Sequence, residues 1–167
     1  EGLQLLDAVA EALDIGRRAE LPVHISHFKS SGQDSWGLVR TAIEIINEAR
    51  AADQVVTADQ YPYTASSTSL SATCSPAWAR AGGRKQMLER IDQEGEESTR
   101  IREAIEHKLE ITDGGHRLQI ALFRPQPAWS GMRLDEIAKA EQISPLDLVL
   151  RIEREGGASI VNHSINE

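Results

Sequence analysis

Residues 21–32 read LPVHISHFKSSG, a short apolar stretch that runs into polar residues and a glycine loop. The stretch predicts a strand over 23–26, and the spacing of apolar residues before it predicts a helix over 3–19. A second amphipathic helix is predicted over 38–50 and a second strand over 54–58. Two short strands about thirty residues apart, with one helix between them, are typical of a βαβ unit with parallel strands.

Polar residues follow both predicted strands. The first strand runs into HISHFK (24–29) and the second into TADQYPY (57–63). In parallel α/β proteins, catalytic residues gather beyond the carboxyl ends of the strands. We therefore expect these two segments to meet and to form the functional site.

The remainder of the chain has a different composition. Residues 64–76, TASSTSLSATCSP, are small and rich in hydroxyl groups and predict an ordered loop, and residues 83–108 are highly charged and predict helices. Residues 66–130 are therefore interpreted as an inserted region or lid. Beyond it we predict a strand-containing segment, 131–167, with helices over 133–141 and 145–155 and a strand that His163 ends.

Composition limits the class of partner. The chain has 167 residues, of which 40% are apolar, and a formal net charge of −8. An acidic surface argues against binding to nucleic acid or to an anionic membrane. A single cysteine, Cys74, excludes an internal disulfide.

His27 and Lys29 are the first candidate site residues. An imidazole at a strand end is a common zinc ligand. The alternative, which the spacing alone favours, is a hydrogen-bonded structural histidine. Strand alternation predicts that His27 shares a face with Val23 and Ile25, opposite His24. Lys29 either binds a substrate carboxylate or lies exposed in a polar loop.

Tyr61 and Tyr63 are the candidates on the second segment. A tyrosine hydroxyl at this position can donate a hydrogen bond to a developing oxyanion, and the alternative is packing in the core with a hydrogen-bonded hydroxyl. Asp59 either orients a ligand histidine or caps a backbone turn. His163 is left without a role.

The segments PVHISHFKSSG and TADQYPYTASSTSL, followed by NHSINE, resemble the N-acyl-D-amino-acid deacylase (D-aminoacylase) family of the amidohydrolase superfamily. The resemblance implies part of a (β/α)8 barrel with an inserted α-rich region, and a zinc-dependent hydrolase. In this division residues 1–65 are a βα segment of the barrel, residues 66–130 are the insertion, and residues 131–167 are barrel helices and a strand. The reaction it implies is cleavage of the amide of an N-acyl-D-amino acid to a carboxylate and a D-amino acid. A cytoplasmic location is also implied.

The resemblance assigns roles to individual residues. His27, in the Ser-His-x-Lys motif, matches the zinc-binding histidine, and Lys29 matches the lysine that holds the substrate's carboxylate. Tyr61, in Asp-x-Tyr-Pro-Tyr, is the better match for the tyrosine that assists the scissile carbonyl. Tyr63 is the second choice and is assigned to substrate binding.

Other motifs of the family are absent from this sequence. They are the His-x-His pair, the metal-binding cysteine, the histidine of Thr-His-x-Arg and the Ser-Asp-Gly aspartate that acts as general base. We therefore expect an internal fragment whose zinc site is incomplete and which is inactive alone. Alternatives are a dihydropyrimidinase-like cyclic amidase, a dipeptidase, or a non-catalytic α/β module whose exposed strand edges lead it to self-associate.

Overall fold

The computed structural model of the chain describes residues 2–165, which form two structural units. The first unit comprises residues 2–64 together with 164–165, and the second comprises residues 65–163.

The first unit is built as the sequence predicts. A 3₁₀ turn over Gly2–Gln4 leads into α1 (Leu5–Ala19), β1 (Val23–Ile25), a 3₁₀ turn over Gln33–Ser35, α2 (Leu38–Ala51) and β2 (Val56–Ala58). The two strands are parallel, and Val23 lies opposite Val56 and Ile25 opposite Ala58. The predicted parallel βαβ unit is therefore confirmed.

Helix α1 packs through one stripe of side chains against α2 and β1. Leu5, Val9 and Leu13 are buried at a spacing of four residues, as expected for one face of a helix. At Gly16 the helix approaches β1 so closely that an added Cβ would lie 2.2 Å from Cγ2 of Val23. A glycine at this position therefore permits the contact between helix and strand.

Hydrogen bonds hold the loop after β1, in addition to the packing of Phe28 in the apolar core. The Gly32 N–H donates to the carbonyl oxygen of Ser164 at 2.9 Å, and the Trp36 indole N–H donates to the same oxygen at 3.2 Å. The Ser35 hydroxyl donates to the carbonyl oxygen of Ser31 at 2.8 Å. Because Ser35 and Ser164 are both buried, these bonds satisfy polar groups that water does not reach.

The second unit contains a three-stranded antiparallel sheet and five helices among its described residues. Its elements are β3 (Ser66–Ser69), α3 (Leu70–Cys74), α4 (Arg84–Asp92), α5 (Glu96–Glu110), β4 (Leu118–Leu122), a 3₁₀ turn over Pro127–Trp129, α6 (Leu134–Glu141), α7 (Pro145–Arg154) and β5 (Ser159–Asn162). The strand order is β3-β5-β4. The helices predicted over 83–108, 133–141 and 145–155 are confirmed.

One prediction about this unit is wrong. The hydroxyl-rich segment 64–76 is not a loop, because strand β3 pairs with β5 and Ser69 accepts a hydrogen bond from the Ala72 N–H at 3.1 Å to cap α3. The predicted last strand is present as β5. It lies antiparallel to both β3 and β4, so its neighbours come from the segment interpreted as an insertion.

The four helices α4–α7 contribute to one apolar core together with the sheet. Met87 from α4, Ile101 from α5, Ile137 from α6 and Leu148 from α7 are all at most 1% exposed within it. The described fold therefore has no boundary near residue 130. The assignment of 66–130 as an insertion and 131–167 as a barrel segment stays a prediction about a larger protein.

Candidate active site

The carboxyl ends of β1 and β2 bring the two predicted polar segments together. The Asp59 N–H donates to the carbonyl oxygen of Ile25 at 3.1 Å, and the Phe28 N–H donates to the carbonyl oxygen of Asp59 at 2.8 Å. These bonds continue the pairing of the parallel strands past their ends. Residues 27–29 and 59–63 are therefore neighbours, as we expected from the order of the elements.

His27 lies in a turn and not on the strand. Strand β1 ends at Ile25, and the backbone of His27 is left-handed, with φ at 54°. The prediction that strand alternation sets the direction of His27 is therefore wrong. Histidine is one of the few residues other than glycine that adopt this backbone region with some frequency. The His27 side chain is exposed, and its backbone N–H donates to Oδ1 of Asp59 at 2.8 Å.

Lys29 is a buried side chain beside His27 and Tyr61. It is 6% exposed, its ammonium donates to the carbonyl oxygen of His27 at 3.2 Å, and Nζ lies 5.4 Å from the centroid of the Tyr61 ring. A desolvated ammonium over an aromatic face is attracted by the ring's negative face. The alternative of an exposed lysine in a polar loop is therefore excluded for this residue.

Tyr61 lies between the other two candidate residues that carry rings, His27 and Tyr63. Its ring centroid lies 6.0 Å from that of His27 and 6.3 Å from that of Tyr63. Tyr63 is 69% exposed. The structure thus groups His27, Lys29 and Tyr61 around one position, with Tyr63 at the outer side of Tyr61.

A polar network that the sequence did not predict lies behind His27. The parallel register places His24 opposite Thr57, and Nδ1 of His24 lies 2.7 Å from the Thr57 hydroxyl. Nε2 of the same ring lies 2.8 Å from Oδ2 of Asp59. The backbone N–H of His27, and after it the ring of His24, hold the pKa of the Asp59 carboxyl below its usual value. Only the register of two separate strands reveals this network.

His163 lies in the second unit and is hydrogen-bonded there. Its N–H donates to the carbonyl oxygen of Arg117 at 3.0 Å, and Nε2 lies 3.2 Å from Oε1 of Gln119. Burial, followed by the charges of Arg133 and His116, lowers the pKa of the imidazole. These contacts account for His163 as a structural residue at the end of β5.

The described residues contain no complete metal centre. The imidazole of His27 is exposed, whereas both ring nitrogens of His24 are occupied by Thr57 and Asp59. Among residues 2–165, no group of three or more His, Cys, Asp or Glu side chains is placed to hold a metal ion. Zinc in proteins takes at least three protein ligands, so His27 alone does not make a centre.

Within residues 2–165, no helix combines the length and the apolar composition needed to cross a membrane.

Curated proteins with similar sequences are deacylases of N-acyl-D-amino acids. Over 70 residues the chain is 44% identical to a D-aminoacylase from Alcaligenes xylosoxydans xylosoxydans and 40% identical to an N-acyl-D-glutamate deacylase from the same organism. Each match covers 42% of this chain and 14% of the relative. No protein-family model matches the chain.

Solved structures of the same group share the fold. The N-acyl-D-glutamate deacylase of Bordetella bronchiseptica, in complex with zinc and a phosphonate inhibitor, matches 99% of the chain with a TM-score of 0.68 at 23% identity. A D-aminoacylase described as defining a novel subset of amidohydrolases matches all of the chain with a TM-score of 0.64 at 27% identity.

The chain spans 27% of the length of each of these solved relatives. In sequence and in fold the chain is thus similar to N-acyl-D-amino-acid deacylases, in agreement with the resemblance found in the motifs.

Proposed function

We propose that the protein carrying this chain hydrolyses the amide bond of N-acyl-D-amino acids to a carboxylate and a D-amino acid. The observation that carries the proposal is the grouping of His27, Lys29 and Tyr61 at the carboxyl ends of two parallel strands. The names of the relatives support the substrate class.

The proposed architecture is a (β/α)8 barrel of the amidohydrolase type, to which β1, α2 and β2 contribute one βαβ repeat. In such barrels the catalytic residues stand at the carboxyl ends of the strands. The placement of His27 and Tyr61 just beyond β1 and β2 supports this assignment.

Lys29 binds the α-carboxylate of the substrate. Its ammonium is buried and already oriented by the His27 carbonyl oxygen and the Tyr61 ring, so little side-chain freedom remains to be lost on binding. A charge-assisted hydrogen bond in a desolvated site is stronger than one at an exposed position. Anchoring the carboxylate at one fixed point also restricts which configuration at the α-carbon presents its amide for cleavage.

Tyr61 donates its phenolic proton in a hydrogen bond to the carbonyl oxygen of the amide, which gains negative charge as the carbonyl carbon is attacked. Tyr63 lines the same position from the outside and contacts the substrate. His27 supplies one imidazole ligand to zinc, and the remaining ligands and the general base lie beyond the described residues. When bound, zinc activates a water molecule and polarises the amide carbonyl. Solved relatives in complex with zinc, or with a binuclear metal centre, support the metal requirement.

Three further expectations stay predictions. The protein acts on a small molecule in the cytoplasm, and the 167-residue chain alone is inactive because its metal site is incomplete. Strands β1 and β2 have no further strand partner among the described residues, so the isolated chain is expected to self-associate through these edges. A concentration-independent monomer in sedimentation velocity would contradict this.

The test is a measurement of zinc content and turnover on the full-length protein. N-acetyl-D-methionine and N-acetyl-D-glutamate are the substrates, and their L-forms are the controls. We expect bound zinc and release of the D-amino acid only. Zinc without D-selective release would move the substrate class to cyclic amides or dipeptides, and the absence of any hydrolysis would favour a non-catalytic module.

The carboxylate anchor has a separate test. We expect Lys29→Ala to raise KM by about tenfold or more, since a hydrogen bond between charged groups contributes roughly 1.5–3 kcal/mol. Lys85→Ala is the matched control, because Lys85 is an exposed lysine on α4 in the second unit. Unchanged KM in Lys29→Ala would remove the anchoring role.

A further inference from the structure

We propose that Asp59 is the positioning residue that sets the geometry of His27, and that His24 serves as the brace that holds Asp59 in place. This inference rests on the proposed function, in which His27 is a metal ligand. It deepens that function by naming the residues that hold the ligand in its orientation.

The Asp59 carboxylate bridges two groups of the first unit. One carboxylate oxygen accepts from the backbone N–H of His27 at 2.8 Å, and the other lies 2.8 Å from Nε2 of His24. A single carboxylate therefore links the turn after β1 to a side chain on β1 itself. Asp59 is in turn fixed to the first strand by its own N–H, which donates to the Ile25 carbonyl oxygen.

The backbone φ of His27, 54°, is sterically unfavourable for a residue with a side chain and persists where surrounding contacts stabilise it. Both peptide groups of His27 are held, the N–H by the Asp59 carboxylate and the carbonyl oxygen by the Lys29 ammonium. The Asp59 carboxylate therefore helps to fix the backbone of His27, and with it the direction of the Cα–Cβ bond that carries the imidazole.

Contacts of His24 restrict the rotation of the Asp59 carboxylate. The side chains of Asp59 and His24 are each 51% exposed, so packing alone does not immobilise them. The His24 ring is fixed at its other nitrogen by the Thr57 hydroxyl at 2.7 Å. The contacts from Thr57 to His24 and from His24 to Asp59 thus hold the carboxylate plane toward the N–H of His27 rather than toward solvent.

The experiment compares zinc dissociation constants in the full-length protein, measured by competition with a chelator. Removal of a group that orients a metal ligand costs about 10- to 100-fold in metal affinity. We expect Asp59→Ala to weaken zinc binding by about tenfold or more. Asp59→Asn keeps an oxygen for the N–H of His27 and should restore affinity to within about threefold of the wild type.

Asp53→Asn is the matched control, because Asp53 is an exposed aspartate in the turn before β2 with a left-handed backbone that asparagine also adopts. It should leave zinc affinity unchanged. Cobalt substitution adds a spectroscopic readout: the visible absorption bands of the Co²⁺ protein should shift in Asp59→Ala and not in Asp53→Asn.

His27→Ala separates the two proposals. If His27→Ala weakens zinc binding and Asp59→Ala does not, the positioning role is wrong and the metal role of His27 stands. If His27→Ala leaves zinc affinity unchanged, the metal role in the proposed function is wrong, and the positioning role falls with it.

Asp59→Glu provides a second test in case Asp59→Ala does not fold. Asp59→Glu retains the charge and displaces the carboxylate by one methylene group, so it should bind zinc more weakly than Asp59→Asn. Equal zinc affinities in Asp59→Glu, Asp59→Asn and the wild type would overturn the inference even if Asp59→Ala cannot be purified.

Discussion

The two units of the chain are organised by different interactions. The apolar core of the second unit contains twenty-one buried side chains among the described residues, and that of the first contains eight. Polar residues form a larger share of the described interior of the first unit, where Lys29, Ser30, Ser35 and Ser164 are buried beside eight apolar side chains. The second unit buries five polar residues beside its twenty-one apolar ones. The candidate site therefore lies in the unit whose interior is richer in hydrogen-bonding groups.

This contrast has a physical basis. An apolar core is non-directional and tolerates small shifts of its members, whereas a hydrogen bond requires a particular distance and angle. A buried ammonium such as that of Lys29 must keep its partners, since an unpaired buried charge is costly. A site that has to hold substrate groups at set distances is therefore better supported by directional hydrogen bonds, as in the first unit, than by a larger apolar core.

Truncation of a leucine in each core measures the contrast directly. Leu148→Ala in the second unit and Leu13→Ala in the first should each lower the free energy of unfolding, within the range of about 2–5 kcal/mol typical of buried leucines. Leu148 is fully buried and Leu13 is 6% exposed, so the larger loss is expected for Leu148→Ala. Denaturant titration provides the measurement, and the reverse order would contradict the comparison.

Exchange of the two tyrosines for phenylalanine tests the site within the first unit. Tyr61→Phe removes the proposed donor to the carbonyl oxygen, and losses of about 10²-fold in kcat are typical for such donors. Tyr63→Phe, at a 69% exposed position, should change kcat by less than about threefold. A large loss in Tyr63→Phe with little change in Tyr61→Phe would transfer the catalytic role to Tyr63.

A helix cap provides a smaller effect in the second unit. The Ser144 hydroxyl accepts from the Asp147 N–H at 3.0 Å at the start of α7, so Ser144→Ala should lower the free energy of unfolding by about 1 kcal/mol. Ser67→Ala on the exposed side of β3 is the control and should be within about 0.5 kcal/mol of the wild type. Equal losses in the two variants would mean that the cap contributes nothing.

The smallest net effect at neutral pH is expected for the buried carboxylate of the second unit. The side chain of Glu153 is 1% exposed and pairs with Arg84 at 3.1 Å. Burial raises the pKa of the Glu153 carboxyl, and the charge of Arg84 opposes that shift. Glu153→Gln removes the cost of burying a charge, which stabilises the fold. It also removes the ion pair with Arg84, which destabilises the fold, so the two effects offset each other in the free energy of unfolding.

The pH dependence of that variant has a definite sign. Because the folded state raises the pKa of Glu153 above its usual 4.5, this group stabilises the fold at pH values below 4.5. That contribution is lost as the pH rises through the raised value. The unfolding free energy of the wild type minus that of Glu153→Gln should therefore fall between pH 4.5 and neutrality, and a rise over this window would contradict the burial argument.

The elements of the first unit followed from local patterns, whereas the geometry of its site did not. Apolar periodicity predicted α1 and α2 to within two residues, and the order of elements predicted parallel strands. The end of β1 was predicted one residue too late, because the tertiary bond from Asp59 to the N–H of His27 draws the chain into a turn. That bond joins residues thirty-two positions apart and leaves no local pattern.

In the second unit, too, local sequence was not sufficient, because the strands there depend on pairing with distant segments. Serine and threonine have weak local preferences, so residues 66–69 form a strand only because β5 is available to pair with them. The antiparallel direction of β5 likewise depends on β3 and β4, and no signal within residues 159–162 reveals it.

Residue types and their spacing were therefore sufficient for the α/β class, the helices and the parallel pair of strands. These features depend on periodicity and on the order of elements along the chain. The choice of His27, Lys29 and Tyr61 as the candidate trio came from the resemblance of their motifs to a known family. The burial of Lys29, the left-handed turn at His27 and the bridge from His24 through Asp59 depend on the register between β1 and β2. Register is set by contacts between distant segments, and only the folded chain brings those segments together.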